Sequence, residues 1–216
     1  ALPILVYSDC EPSLETSFSH LPPKTMLALA SSLYKKLALR EENGGYIGVF
    51  KQKKADLEHF LTTRPSLILI LEDLEKPGNL GAICRSSVGA GVDGIFVLGK
   101  SVDIFNPNAI RASLGAIFQL PIFQLSHEQA LDFCQKADLS FAVAALGKQS
   151  KTLWDYDFSK NTAIVMGNEH GGVSKLWLDE RRFPSVLIPM ASGIDSLNVS
   201  VASALIVYEV RRQRSL

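Results

Sequence analysis

Apolar and polar positions follow two alternating patterns along most of the chain. From Ser66 onward, short continuous apolar runs are typical of strands covered on both faces, and stretches with helical spacing separate them. Strands are predicted at residues 67–71, 95–98, 121–125, 141–146, 163–166 and 186–188, and helices at residues 80–90, 108–118, 128–137 and 196–214. This alternation predicts an α/β fold with a mostly parallel sheet and helices on both faces.

The first 54 residues follow a different pattern, which predicts a small, partial α/β domain over residues 1–54. Residues 2–7 and 46–50 have the composition of strands, and the turn signal Asn43-Gly44-Gly45 precedes the second of them. Residues 24–40 have the spacing of a helix. We interpret residues 55–65 as a linker, helical at first, that leads into the main domain of residues 66–216.

Composition excludes several classes of protein. Of the 216 residues, 47% are hydrophobic and 20% are charged, as in a soluble globular protein, and no apolar run is long enough to cross a bilayer. The three cysteines are scattered without a metal-ligand spacing, so we expect no metal, no membrane span and a reducing cytoplasm. The net charge is zero, which neither indicates nor excludes a nucleic-acid partner.

One glycine-rich segment imitates a dinucleotide-binding motif. Residues 89–94 match the spacing Gly-x-Gly-x-x-Gly, but that motif must follow a strand and open a helix. Here the segment ends a predicted helix and leads into a strand, so its glycines are better explained as helix-terminating residues. The position of this segment therefore argues against a nicotinamide or flavin enzyme.

Three other segments follow predicted strands and carry polar residues. They are residues 77–85 (Pro-Gly-Asn-Leu-Gly-Ala-Ile-Cys-Arg), residues 166–172 (Met-Gly-Asn-Glu-His-Gly-Gly) and residues 188–202. Taken singly, each has a simpler interpretation as a turn, a loop or a capped helix, with Asn79 and Ser196 as candidate caps. The carboxyl ends of parallel strands, however, are where α/β proteins bind ligands. We therefore expect the three segments to converge on one pocket.

Together the three segments resemble the motifs of the SpoU/TrmH family of the SPOUT superfamily. The matching residues are Asn79-x-Gly81-x-x-x-Arg85 with Gly91, then Met166-Gly167-Asn168-Glu169-x-x-Gly172, then Ile188-Pro189-Met190 through Ser196-Leu197-Asn198-Val199-Ser200-Val201-Ala202. Residues 106–116 are also similar to the family, and the resemblance spans residues 66–212. One departure is Glu75-Lys76 before Pro77, where many members carry Asp before the proline.

The resemblance implies a fold, a reaction and a site. The fold is an α/β domain with a C-terminal trefoil knot, dimeric through the knotted region, and the reaction transfers a methyl group from S-adenosylmethionine to a ribose 2′-hydroxyl of rRNA or tRNA. The catalytic residues implied are Arg85, Asn79, Glu169, Ser196 and Asn198. The cofactor-binding residues implied are Leu146, Gly147, Met166, Gly167, Ile188, Pro189, Met190, Ser196, Leu197 and Asn198.

The sequence leaves three questions open. Arg85 could remove the proton of the hydroxyl, although a guanidinium holds its own proton too tightly to be an efficient base. Alternatively, it grips the adjacent phosphate and stabilises the developing alkoxide. A catalytically silent RNA-binding protein of the same fold is an alternative function, and a SPOUT enzyme that methylates a base is another. Residues 1–54 resemble part of a small RNA-binding domain, which does not specify the RNA.

Overall fold

The chain forms two compact units, residues 1–54 and residues 55–216. The computed structural model describes residues 4–8, 26–38, 46–52, 55–147, 149–179, 181–192 and 196–214. The turn signal at residues 43–45 and Gly193 lie outside the described residues.

In its described residues, the first unit contains a three-stranded sheet and one helix. Strand β1 (Ile4–Ser8) lies between β2 (Met26–Leu29), with which it is parallel, and β3 (Tyr46–Val49), with which it is antiparallel. Helix α1 (Ser31–Leu37) follows β2. The predicted helix over residues 24–40 is therefore wrong at residues 26–29. Met, Leu and Ala favour helices, but the backbone pairing of β2 with β1 overrides that local preference.

The second unit is built on a seven-stranded sheet in the order β6-β5-β4-β9-β7-β10-β8, in which every neighbouring pair is parallel. The strands are β4 Leu67–Glu72, β5 Gly94–Leu98, β6 Ile122–Leu125, β7 Ser140–Ala144, β8 Lys151–Thr152, β9 Thr162–Met166 and β10 Ser185–Leu187. The helices are α2 Leu57–Thr62, α3 Pro77–Ala90, α4 Pro107–Ser113, α5 His127–Lys136 and α6 Val199–Arg214. The predicted parallel α/β architecture is confirmed.

Helices cover both faces of this sheet. Leu67, Leu69 and Leu71 of β4 pack into one apolar cluster with residues of α3 and α6. Ile68 and Ile70 point to the opposite face, into a cluster with aromatic residues of α2 and α5. Successive side chains of a strand alternate between faces, so a strand buried on both must be apolar throughout. Helix α2 lies within the segment interpreted as a linker, and its Phe60 is part of the second cluster.

Two helices begin or end where the sequence pattern did not predict. Helix α4 starts at Pro107, with Asn106 as its cap, and ends at Ser113, since Leu114 and Gly115 have φ of +49° and +87°. The predicted helix over residues 108–118 is wrong at this break, and a 3₁₀ turn, Ala116–Phe118, follows it. A glycine adopts positive φ at no steric cost, so Gly115 favours the break. Helix α3 starts at Pro77, three residues before the predicted start.

Membrane-spanning helices and metal-binding clusters are both absent from the described residues. Within them, no helix combines the length and apolar character needed to cross a membrane. No group of three or more His, Cys, Asp or Glu side chains in the same ranges is arranged to hold a metal ion.

Candidate functional site

A cavity of about 500 Å³ opens at the carboxyl ends of β7, β9 and β10. Its walls come from the ends of those strands, from the loop after β9 and from the start of α6. The lining residues are Ala144, Ala145, Leu146, Met166, Gly167, Asn168, Glu169, His170, Gly171, Gly172, Val173, Leu178, Val186, Leu187, Ile188, Met190, Ser196, Leu197, Val199, Ala202 and Ile206. A mostly apolar wall with a few converging polar groups is typical of small-molecule sites of about this volume.

The loop after β9 is closed by its own backbone. Asn168 and Gly172 exchange two backbone hydrogen bonds, 3.0 and 3.2 Å long. The side-chain oxygen of Asn168 also accepts hydrogen bonds from the N–H groups of His170 and Gly171. A Cβ at Gly167 would lie 2.1 Å from the carbonyl carbon of Gly172, so only glycine fits at this crossing. These hydrogen bonds and the close backbone approach at Gly167 fix the position of Glu169 within the loop.

A chain of three side chains joins the three motifs. The Nδ2 group of Asn79 donates a short hydrogen bond to Oε1 of Glu169, which lies 90 positions later in the sequence. The Nδ2 group of Asn198 donates to Oδ1 of Asn79 over 3.2 Å. Both ends of the Asn79 amide are thus occupied, which fixes its orientation. The convergence predicted from the sequence is present for these three residues.

Glu169 keeps one carboxylate oxygen without a partner. Its Oε2 atom is buried and has no hydrogen bond to any described residue, although Glu169 lines the cavity. Leaving a buried acceptor unsatisfied costs roughly 1–3 kcal/mol, more when the group is charged. An orphaned oxygen at a cavity wall is therefore a candidate contact for a donor group of a bound ligand.

Asn79 and Ser196 do not have the capping roles expected of them from the sequence. Helix α3 already starts at Pro77, a residue that suits the first helical position because it needs no N–H partner there. Asn79 is thereby free to bind Glu169. Helix α6 starts at Val199, and Asn198 caps it by accepting from the N–H of Ser200 at 2.9 Å. Ser196, the expected cap, lies exposed at the cavity wall.

Most of the expected cofactor residues border the cavity. Seven of the ten line it, namely Leu146, Met166, Gly167, Ile188, Met190, Ser196 and Leu197. Gly147 lies beyond the wall, where its N–H donates to Oγ of Ser150 at 2.7 Å in a turn. That turn also explains why β7 ends at Ala144 and leaves Leu146, predicted as strand, 82% exposed. Pro189 and Asn198 are adjacent to lining residues without lining the cavity themselves.

Arg85 stands apart from the other expected catalytic residues of its own chain. It lies on α3, six residues after Asn79, so the helix rises about 9 Å between them and turns it to another face. Its side chain is exposed, forms no ion pair within the described part of the chain, and is absent from the residues that line the cavity. A single chain therefore assembles Asn79, Glu169 and Asn198, with Ser196 nearby, but not Arg85.

Several lining residues were missed by the sequence analysis. Leu178, Val186 and Ile206 contribute apolar wall, and the sequence gives no signal for them beyond their apolar character. Glu72 was also overlooked. It is the single charged residue in the run Leu-Ile-Leu-Ile-Leu-Glu, and such a residue at the end of a buried strand is itself a signal.

Comparison with known proteins defines the family. The SpoU rRNA Methylase family matches residues 66–208, and the chain belongs to that family. An uncharacterized tRNA/rRNA methyltransferase of Synechocystis sp. is 37% identical over 147 residues, covering 68% of this chain and 53% of the relative. A 23S rRNA (uridine(2479)-2′-O)-methyltransferase of Streptomyces viridochromogenes is 29% identical, covering 87% of this chain and 67% of the relative.

A solved structure extends the similarity to the fold. The AdoMet-bound rRNA methyltransferase of Sinorhizobium meliloti superimposes with a TM-score of 0.82 at 26% identity, covering 97% of this chain and 79% of that one. The chain spans about half the length of the Synechocystis relative and two thirds of the Streptomyces one. Membership of the family thus rests on the motif-bearing unit.

Proposed function

We propose that this protein transfers a methyl group from S-adenosylmethionine to a ribose 2′-hydroxyl of structured RNA, either rRNA or tRNA. The observation that carries the proposal is the chain of hydrogen bonds from Asn198 through Asn79 to Glu169 at the wall of a ligand-sized cavity. The similarity to a 23S rRNA 2′-O-methyltransferase supports the reaction. The similarity to an AdoMet-bound rRNA methyltransferase supports the cofactor.

The cavity fits a ligand with an apolar body and polar ends. Leu146, Ile188 and Leu197 offer apolar contact, and Glu169 offers its orphaned carboxylate oxygen. We assign the cofactor to this cavity, held by these residues together with Met166, Gly167, Pro189, Met190, Ser196 and Asn198. When bound, S-adenosylmethionine would supply a methyl group on a sulfonium sulfur: the ribose oxygen would form the new bond to carbon, the cofactor would leave as the neutral thioether, and the hydroxyl proton would pass to solvent.

A neutral hydroxyl is a weak nucleophile, so the site must orient it and favour the loss of its proton. Asn79 holds Oε1 of Glu169, which leaves Oε2 to accept a hydrogen bond from a donor group of the substrates. Arg85 suits the second task, which is to favour the loss of the proton. A guanidinium grips a phosphate through two parallel hydrogen bonds and stabilises negative charge that develops on a nearby oxygen.

We propose that Arg85 serves the site from a second copy of the chain, because its exposed side chain lies outside the cavity of its own chain. Trp154, Val201, Leu205 and Tyr208 form an exposed apolar groove along the outer side of α6. Helix α3 packs beside α6 there, since a Cβ at Gly89 would lie 2.7 Å from Oη of Tyr208. We propose a homodimer through this face, in which the arginine of each protomer completes the cavity of its partner. Such two-fold dimers are the commonest oligomers.

The C-terminal segment is the candidate for a knot. Strand β10 is inserted between β7 and β8, and Ser196 and Leu197, which precede α6, line the same cavity as the loop after β9. We propose that this C-terminal segment forms a trefoil knot, so that the knot and the cofactor site share residues.

Residues 1–54 are proposed to contribute to RNA binding. Lys35 and Lys36 lie exposed in the last turn of α1, as phosphate contacts require. A cytoplasmic location belongs to the same proposal, because RNA is the substrate and because Cys84 and Cys134 are buried free thiols.

Tritiated methyl transfer tests the proposal. Purified protein is first titrated with S-adenosylmethionine by calorimetry and is then incubated with labelled cofactor and RNA from cells that lack the protein. The proposal expects both binding and transfer. Binding of RNA without any methyl transfer would instead identify a silent RNA-binding protein.

A further inference from the structure

Glu72 is a buried carboxylate at the end of the central strand β4, and its side chain is 2% exposed. Its Oε2 atom accepts a hydrogen bond from the N–H of Ser174 at 2.7 Å. Its Oε1 atom accepts from the indole N–H of Trp177 at 3.2 Å and forms a short contact with Nε2 of His127. Three groups from two different segments therefore converge on one carboxylate that is not part of the cavity wall.

The position of Glu72 links it to the loop that carries Glu169. Leu71 pairs with Met166, the residue at which that loop begins. The next residue, Glu72, binds Ser174, at which the loop ends. Two consecutive residues of β4 thus hold the two ends of the segment 166–174, and Glu169 lies between them.

Burial alone would raise the pKa of the Glu72 carboxyl. The hydrogen bonds from Ser174 and His127, together with the charge of His127, outweigh burial and hold the pKa below its ordinary value of 4.5. Burying a charge is costly unless it is fully hydrogen-bonded. A glutamine or an apolar residue at this position would avoid the free-energy cost of burying a charge. The charge is therefore best explained by the hydrogen-bond donors that contact it.

We propose that Glu72 is a positioning residue for methyl transfer, which holds the 166–174 loop so that Glu169 faces the cavity and meets Asn79. This inference rests on the proposed function for its catalytic consequence. Glu72 touches no substrate and acts through the loop. A shift of about 1 Å in a reacting group can cost 10²-fold in rate, so a loosened anchor is measurable in catalysis.

The Glu72→Gln variant separates this role from general stability. Glutamine has the same shape but only one acceptor oxygen, so its amino group faces a donor N–H. We expect kcat at saturating cofactor to fall at least about tenfold. The Trp177→Phe variant removes one donor while keeping an aromatic ring beside Phe141 and Phe183, and should show a smaller loss of kcat.

Phe60→Leu is the matched control, because it weakens the aromatic cluster of the same face without touching the cavity. All three variants are compared with the wild type in kcat, in melting temperature and in hydrogen exchange of amides 168–174, below the melting temperature of each. The inference expects faster loop exchange and lower kcat in Glu72→Gln, but neither in Phe60→Leu. If Glu72→Gln does not fold, kcat and the hydrogen exchange of amides 168–174 in Trp177→Phe test the inference instead.

A folded Glu72→Gln protein with wild-type kcat, or with wild-type exchange in the loop, would overturn the inference. Wild-type protein that neither binds S-adenosylmethionine nor methylates RNA would instead refute the proposed function. In that case the exchange measurement, which needs neither RNA nor cofactor, still decides whether Glu72 holds the loop.

Discussion

Asn198, at the start of the last helix, donates a hydrogen bond to Asn79, which lies 119 positions earlier at the start of α3. Because Asn79 in turn binds Glu169, one amide joins the three sequence motifs into one site. The orientation of the Asn79 amide is fixed, because its oxygen accepts from Asn198 and its nitrogen donates to Glu169. The site therefore exists only in the folded chain and should respond as a unit when any one of the three is removed.

Replacing Asn79 by alanine should abolish most of the activity. The change frees both Glu169 and Asn198, so we expect kcat to fall about 10²-fold or more, as when a fixed donor is removed from a catalytic site. Steady-state methyl transfer measures the loss. Asn161→Ala is the matched control, since Asn161 is exposed beside the opposite end of β9. Wild-type turnover in Asn79→Ala would show that the network is structural only.

Replacing Arg85 by alanine should eliminate methyl transfer and leave the affinity for S-adenosylmethionine nearly intact. The side chain is exposed and lies outside the cavity of its own chain, so cofactor contacts are preserved. Calorimetry and methyl transfer are measured on the same preparation, with Arg181→Ala, an exposed arginine in the turn before β10, as the control. Turnover near that of the wild type would refute the assignment.

Mixed dimers test whether Arg85 acts across the two-fold interface. When Arg85→Ala and Glu169→Gln chains are mixed and allowed to exchange, half of the dimers are hybrids. If the arginine acts on the partner, each hybrid has one intact site, so the mixture should recover about a quarter of wild-type activity. If Arg85 acts within its own chain, every site carries a defect and the mixture stays inactive.

Two glycines of the same helix should respond in opposite ways to alanine. A Cβ at Gly81 would lie 2.5 Å from the carbonyl oxygen of Ala109 and 2.7 Å from the N atom of Ser113. We expect Gly81→Ala to lower the free energy of unfolding by about 1–3 kcal/mol because the α4 backbone must move. Gly78 has open space at its Cβ, so Gly78→Ala should raise stability by about 0.4–1 kcal/mol. Chemical denaturation measures both, and equal effects would contradict the packing of α3 on α4.

Acid should destabilise the wild type more than the Glu72→Gln variant. The pKa of Glu72 is lowered in the folded state, so its contribution is complete above the ordinary value of 4.5 and is lost as the pH falls through the lowered value. Glu209 and Asp157 also have lowered pKa values, but they are present in both proteins and cancel in the difference. Denaturation from about pH 5 to about pH 3 should therefore show a steeper loss of unfolding free energy in the wild type. Parallel curves of unfolding free energy against pH for the two proteins would refute this prediction.

The sequence was informative where local chemistry decides structure and silent where distant contacts decide it. The continuous apolar run of β4 identified a strand buried on both faces, and Gly91 ends α3 with φ of +81°, as predicted. The two-residue strand β8 has no such signal, because it exists only through its pairing with β10.

The site divides in the same way. Loops that follow parallel strands must share one edge, so the meeting of Asn79, Glu169 and Asn198 was predictable from topology. The partners of Asn79 were not, since its position equally suits a cap. The exposure of Arg85 and the anchoring role inferred for Glu72 depend on how helices and loops pack, which no local pattern encodes.

The position of the methyl group in the labelled product distinguishes ribose methylation from base methylation. RNA labelled by the wild-type protein is digested with alkali, which cleaves beside every free 2′-hydroxyl. We expect the label to be recovered in alkali-resistant dinucleotides, and Glu169→Gln protein to produce almost none of them. Label recovered in mononucleotides that carry a methylated base would contradict it.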